Sequence, residues 1–346
     1  MTELTERFEP HDRAIQYCTF CPKLCRHACP VAHAEARETV TPQAKNALVG
    51  LVRSGQAPLD AEAVDIFHRC TGCGLHATAC ELEVEVAPVL FEARAAGVDA
   101  GVVHPALVGL VDEIAGPRES AAPGATVWFS GCASSEGLAT AGLRAARRIE
   151  PAAAAVDVGC CGYPLLAGGH PEAFARHARA VSQALEPAAL VLTGDPICAW
   201  TMRMAWPERA GVPAPTIRHL AEVASSPRPR RDLGATAYHD PCHLSRRLGV
   251  TDEPRALVAA ATGEAPKELP WAAKGGWCSG GGGLLPRTAP ETAHGIASEL
   301  LDQVRGTGAS TVVTACPRCH ERLSLAAEDL GADGGAVHVV DLIELL

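Results

Sequence analysis

The chain has 346 residues, enough for two or three domains, and 47% of them are apolar against 20% charged, the balance of a globular protein with a sizeable core. Only 14 are aromatic (5 Trp, 3 Tyr and 6 Phe), so Ala, Leu, Val and Gly must fill most of that core. Thirty basic against 40 acidic residues give a formal charge of −10, which argues against a nucleic-acid partner. No run of 18 apolar residues marks a transmembrane segment. The opening MTELTERFEPHDR carries four acidic side chains and no apolar h-region, unlike an export signal. The expectation is a cytoplasmic protein, free or held at the cytoplasmic face of the membrane through a partner. The informative number is 15 cysteines. A disulfide framework belongs to short secreted domains, whereas clustered thiols in a reducing compartment bind metal or do redox work.

Seven cysteines precede residue 81, in two groups. CTFCPKLCRHACP places Cys18, Cys21, Cys25 and Cys29 ahead of Pro30, and CTGCGLHATACE holds Cys70, Cys73 and Cys80. The two-cluster ferredoxin run is C-x2-C-x2-C-x3-C-P, whose fourth cysteine ligates the other cluster. The second group fits that spacing with His76 at the third ligand position and Glu81 in place of proline; the first is one residue longer between its second and third cysteines. The spacing predicts one 4Fe–4S cluster on Cys18, Cys21, Cys25 and Cys80, and a second on Cys70, Cys73, His76 and Cys29. A pair of zinc knuckles is the bland alternative, and for His76 it is a solvated side chain beside a three-thiolate site. Residues 33–67 show helical spacing (Ala44, Leu48, Leu51, Val52), as does the stretch from Val86 to Ile114. Residues 1–115 therefore read as a mostly helical module with its clusters at helix ends.

GPRESAAPG (116–124) reads as a linker, and SSPRPRRDLGA (225–235), with three arginines, as a solvated connector rather than an interaction patch. The segments 125–224 and 236–346 look like two copies of one unit. Each opens on a β-like run ending in cysteine, ATVWFSGC to Cys132 and TAYHDPC to Cys242. A cysteine–glycine turn follows, GCCGYPLLAGG (159–169) and WCSGGGGLLP (277–286). Next comes an amphipathic helix: Phe174, Ala178, Val181 and Leu185 in one copy, Ala293, Ile296, Ala297, Leu300, Leu301 and Val304 in the other. The apolar strands ALVLTGDPIC (189–198) and STVVTACPRC (310–319) end in turns with Pro and Cys, and TIRHLAEVA and VHVVDLIEL close the units. Strands alternating with helices predict α/β units with largely parallel sheets and sites outside the strand carboxyl ends. The glycine run 280–283 lacks the context of a phosphate loop and reads as backbone room for a metal site.

GC at 131–132, CCGYP at 160–164, YHDPCH at 238–243, CSGGGG at 278–283 and CPRC at 316–319, in duplicate behind a ferredoxin module, resemble the CCG-domain (cysteine-rich domain) iron–sulfur proteins. These include the D and B subunits of heterodisulfide reductase and the iron–sulfur subunits of glycolate oxidase, L-lactate dehydrogenase and anaerobic glycerol-3-phosphate dehydrogenase. The resemblance runs from about residue 15 to the C-terminus. It implies that a full five-cysteine motif holds a noncubane 4Fe–4S cluster, one half holding zinc or a remnant in some members. Here the first half offers Cys132, Cys160, Cys161 and Cys198, with Asp195 where the first cysteine of CxxC belongs. The second offers Cys242, Cys278, Cys316 and Cys319, with Ser279 in the CC pair. Four thiols suit a cubane or a tetrahedral zinc, and Asp195 would add a harder oxygen ligand or leave one iron open for substrate. One or two further clusters, or zinc, are therefore expected here. The resemblance places His239 and His243 near the cluster, for proton delivery or, more simply, to hold the HDPCH turn; His219 and His320 are noted beside them.

The expected fold is thus α+β multidomain, a helical ferredoxin module followed by two duplicated α/β CCG units. The favoured function is an electron-transfer subunit relaying electrons between a separate flavoprotein dehydrogenase and a quinone or other, membrane-bound carrier. The resemblance alone points to a 2-hydroxy acid such as glycolate or lactate as that partner's substrate. A heterodisulfide reductase-like catalytic subunit and a zinc-binding non-enzymatic scaffold are the alternatives. All 15 cysteines are used by these assignments, leaving none as a dedicated nucleophile.

Overall fold

A computed structural model describes residues 3–114, 116, 124–332 and 336–346, so residues 117–123 of the expected linker lie outside the described residues. The chain forms two compact bodies. The first comprises Met1–Val111 with Pro164–Pro171 and Cys278–Ile296; the second comprises Asp112–Tyr163, Glu172–Trp277 and Ala297–Leu346.

The first body is helical. The helix Pro42–Arg53 starts where Thr41 accepts the Ala44 amide and Pro42 fits the first turn. Asp60 caps Ala61–His68 in the same way through the Ala63 amide. These helices and Val86–Asp99 enclose a core of Phe8, Ile15, Val49, Val52, Phe67, Val86, Val89 and Leu90. The periodicity from Val86 to Ile114 does not make one helix: after Asp99 the chain turns through Gly101 and resumes as a short 3-10 turn, Pro105–Leu107, and then as Leu110–Glu113. The inward face of Pro42–Arg53 also differs from the apolar pattern. Lys45 and Asn46 are buried, whereas Leu51 is 42% exposed.

The second body contains two four-stranded sheets, parallel throughout. Strands β1 (Thr126–Phe129), β2 (Ala154–Val156), β3 (Leu190–Thr193) and β4 (Ile217–His219) stand in the order β2-β1-β3-β4. Strands β5 (Thr236–His239), β6 (Lys267–Glu268), β7 (Thr311–Thr314) and β8 (His338–Asp341) repeat it as β6-β5-β7-β8. The central registers match, Phe129 opposite Thr193 in one sheet and His239 opposite Thr314 in the other. The edge strands β2 and β6 are the pieces the sequence pattern misses, at three and two residues long. One core joins both sheets, with Trp128 and Leu192 in the same apolar cluster as Tyr238, Val313, Val340 and Ile343.

Because successive connections leave β1 in opposite directions, the carboxyl ends of β1 and β3 flank a switch point, the usual crevice for a ligand in such sheets. Cys132 follows β1, and Asp195 and Cys198 follow β3; Cys242, Cys316 and Cys319 follow β5 and β7 likewise.

The helix Glu136–Ile149 packs on β1 through Gly142, where an added Cβ would lie 2.0 Å from Trp128 Cζ2. Gly142→Ala is expected to destabilise the protein by about 1–3 kcal/mol, the usual cost of overfilling a packed core, although alanine favours helix. The check is a lowered urea midpoint at unchanged slope.

Candidate functional site

In the first body the thiols form two sets that cross between the sequence groups. Cys18 lies in the last turn of the helix Asp12–Phe20, Cys21 caps it, and Lys23 takes φ +67° to turn the chain toward Cys25. Burial, with Cys21 and Cys80 beside it, pushes the Cys18 thiol up to about 11, against the hydrogen bond from Asn46 Nδ2 to its sulfur at 3.3 Å. Burial and then Cys18, Cys80 and Cys21 push Cys25 up to about 12. Cys80 thus stands with Cys18, Cys21 and Cys25. Cys29 is raised by burial and by Cys73 and Cys70, against the lowering influence of Lys45.

Cys29, Cys70, Cys73 and His76 line one small pocket with Lys45. The loop between Cys70 and Cys73 needs Gly72 at φ +71°, which turns its amide onto Cys70 Sγ at 3.4 Å. His76 is buried, with Nε2 3.1 Å from Val84 O and 3.2 Å from the Val86 amide. The glycine run serves this body as well. A Cβ on Gly282 or Gly283 would strike Thr71 O or Cys70 O at 2.3 and 2.0 Å, so the room it gives is for the Cys70–Thr71 backbone.

In the second body, Cys132 Sγ lies 3.5 Å from Cys160 Sγ. The contact with Cys132 favours the Cys160 thiolate, but Cys161 and burial still push it up to about 12. Cys198, next to Cys161, also rises to about 12, through burial and Asp195. Gly131, at φ +73°, leaves only 2.9 Å between its missing Cβ and Cys198 Sγ and 3.8 Å to Asp195 Oδ2. Asp195 is fully buried: Oδ1 caps the next helix through the Ile197 amide at 2.8 Å, and Oδ2 lies 3.6 Å from Arg318 Nε. Arg318 also donates from Nη2 to Cys132 Sγ at 3.3 Å. A cation from the second CCG unit thus serves the first unit's thiols, a pairing hidden in the variable positions of CPRC.

The CC-G turn is the same in both copies. Gly162 N–H points to Cys160 Sγ and Gly280 N–H to Cys278 Sγ, each at 3.3 Å, with φ +90° and +86°. Gly280 therefore is the motif glycine, and Ser279 occupies the second cysteine position. Cys278 lies in the first body, and Cys242, Cys316 and Cys319 in the second. Cys316 is raised by burial and by its neighbour Cys319, and Cys242 Sγ lies 3.4 Å from His243 Nδ1.

The histidines hold turns. His239 Nε2 donates to Trp277 O at 3.0 Å while Nδ1 accepts from Thr314 Oγ1, and burial pushes its pKa down to about 4. His219 Nδ1 accepts the Ala221 amide and Nε2 donates to Gly194 O. His243 stacks edge-on between Tyr163 and Trp200. His320 lies 3.8 Å from Glu344.

Crowded, buried thiols cannot all ionise unless positive charge joins them, so these donor sets suit a cationic group with several metal centres, such as an iron–sulfur cluster. Among the described residues no three His, Cys, Asp or Glu side chains converge on one point as ligands of a single ion do, and no cysteine is in a disulfide.

Residues 126–203 and 236–324 each match the model of the cysteine-rich CCG domain, so the two units are CCG domains. The chain is 29% identical to the B subunit of fumarate reductase (CoM/CoB) of Methanothermobacter marburgensis over 302 residues, 80% of this chain and 60% of that protein. It is 27% identical to the D subunit of dihydromethanophenazine:CoB–CoM heterodisulfide reductase of Methanosarcina acetivorans over 340 residues, 87% of this chain and 82% of that one. Lactate utilization protein A of Bacillus thuringiensis is 25% identical over 198 residues, 53% and 82% of the two chains. The chain thus carries two CCG domains and is similar over most of its length to subunits of these two reductases. No helix among the described residues is long and apolar enough to cross a membrane.

Arg318 is 17% exposed at its side chain and Asp195 not at all. Arg318→Met is expected to cost about 3 kcal/mol by leaving a buried carboxylate without its cation, and adding Asp195→Asn should recover a large part. A double-mutant cycle of urea denaturation checks this: additive losses would show the two groups to be uncoupled.

Proposed function

We propose that the protein is an iron–sulfur electron-transfer subunit that relays single electrons between a flavoprotein dehydrogenase and a quinone or other carrier. The observation that carries this reading is the crossing of the thiol sets, Cys80 with Cys18, Cys21 and Cys25, and Cys29 with Cys70 and Cys73. Two-cluster ferredoxins share ligands between sequence groups in this way. Iron–sulfur clusters, when bound, supply one-electron storage; the chain's own groups supply thiolate ligands, amide hydrogen bonds to sulfur and a dry surround. Tyr17, Phe20, Leu24 and Leu82 are exposed next to the first set's cysteines, Phe20 at 87%, which gives a partner's redox group an apolar rim to approach. The CCG units would hold one or two further clusters. A 2-hydroxy acid such as glycolate or lactate as the partner's substrate, and residence in the cytoplasm, on its own or against the membrane through that partner, complete the proposal.

A second reading has its own support. Cys132 is exposed and lines an open cavity with Ile114, Trp128, Leu143 and Val156. A disulfide substrate could reach the first CCG site there, taking two electrons and two protons to give two thiols.

Anaerobically purified protein is expected to contain iron and acid-labile sulfide for at least two clusters, with EPR signals after dithionite reduction. It should pass electrons to a quinone analogue faster than to a heterodisulfide. Zinc alone would refute both readings, and preferential disulfide turnover would favour the second.

A further inference from the structure

The helix Pro42–Arg53 buries two adjacent polar residues where the apolar pattern would place none. Lys45 is 1% exposed and Asn46 fully buried. Neighbours on a helix diverge by about 100°, so the two side chains leave in different directions. Asn46 Nδ2 donates to Cys18 Sγ of the first set at 3.3 Å. Lys45 lines the pocket of Cys29, Cys70, Cys73 and His76, and its Nζ donates to Arg69 O, one residue before Cys70, at 2.6 Å. Among the described residues no carboxylate forms an ion pair with Lys45. A second buried cation stands close by: Arg94, 2% exposed, donates to Phe67 O at 2.9 Å and Cys70 O at 3.2 Å.

A buried ammonium with no carboxylate partner is unfavourable unless something negative sits near it. Here the anionic group is the second thiol set. An electron added there gains from a full positive charge in a dry environment. An electron added at the first set gains only the weaker help of a neutral amide on one sulfur. With imidazole in place of a fourth thiolate, the second set would also carry one negative charge fewer, which acts in the same direction.

We infer that Lys45 and Asn46 rank the two sites of the helical body, the second set holding an electron at a higher potential than the first. The transfer is of one electron alone: the first site is oxidised as the second is reduced, no bond is made or broken, and no proton moves. Electrons arriving at the apolar rim of the first set thus settle at the Lys45 site. Lys45 and Asn46 are positioning residues, acting through the thiolates. The inference rests on the reading that both sets hold iron–sulfur clusters.

The test is an EPR-monitored redox titration of the full chain, purified anaerobically, with the centres assigned by Cys25→Ser and Cys29→Ser. Lys45→Gln keeps a donor for Arg69 O and removes the charge. It is expected to lower the potential of the second centre and leave the first in place, with Lys45→Arg close to the parent. Asn46→Ala is expected to lower only the first. If Lys45→Gln loses its centre, Lys45→Arg and Asn46→Ala still decide whether the parent order, second above first, responds as stated. The ranking is overturned if the first centre has the higher potential, or if Lys45→Gln retains iron and sulfide with both potentials unchanged. Parent protein without iron and sulfide would overturn the underlying reading as well, and metal analysis separates that outcome from the other two.

Discussion

The constraint on which the rest depends is electrostatic. Thiolates in a dry, crowded place repel one another, and burial with the groups crowded around them pushes the thiols of Cys18, Cys25 and Cys198 up. Four kinds of group in the chain answer that repulsion. Backbone amides at Gly72, Gly162 and Gly280 point at sulfur. Asn46 supplies a side-chain amide. Lys45 and Arg94 bring buried charge toward the second N-terminal set, and Arg318 does so for the first CCG set. The glycines follow from the first device, since an amide aimed at its own turn's sulfur needs positive φ.

Duplication explains the architecture of the second body. Each parallel sheet reverses its winding between its two central strands, so loops from neighbouring strand ends meet at one point without any long excursion. The two copies then diverge in detail. One has Asp195 for a cysteine and takes a cation from the other copy; the other has Ser279 at the CC pair. Their shared core, with Trp128 and Leu192 of one sheet beside Tyr238 and Val313 of the other, ties the copies together.

Much of this was legible from spacing alone. The division of seven cysteines into two crossed sets, the central strands and the helices from Pro171 and Pro290 all follow from positions in the sequence. Apolar periodicity succeeded at Phe174, Ala178, Val181 and Leu185, which are buried together. It failed on Pro42–Arg53, because hydrophobic period marks only faces that pack on apolar neighbours; a face turned to thiolates selects a cation and an amide. The edge strands β2 and β6 escaped notice because three and two residues are too few to show alternation.

The sequence by itself determined the grouping of the cysteines, the duplicated unit and the parallel sheets, since each is written in local spacing and in strand and helix periods. Tertiary structure alone decided which charges answer which sulfurs. Lys45 bonds Arg69 O beside the second set across 24 residues, Arg94 bonds Cys70 O across 24, and Arg318 bonds Cys132 Sγ across 186. Such pairings depend on long-range folding into a low-dielectric interior, where one unit of charge acts over several ångströms and leaves no periodic trace in the chain.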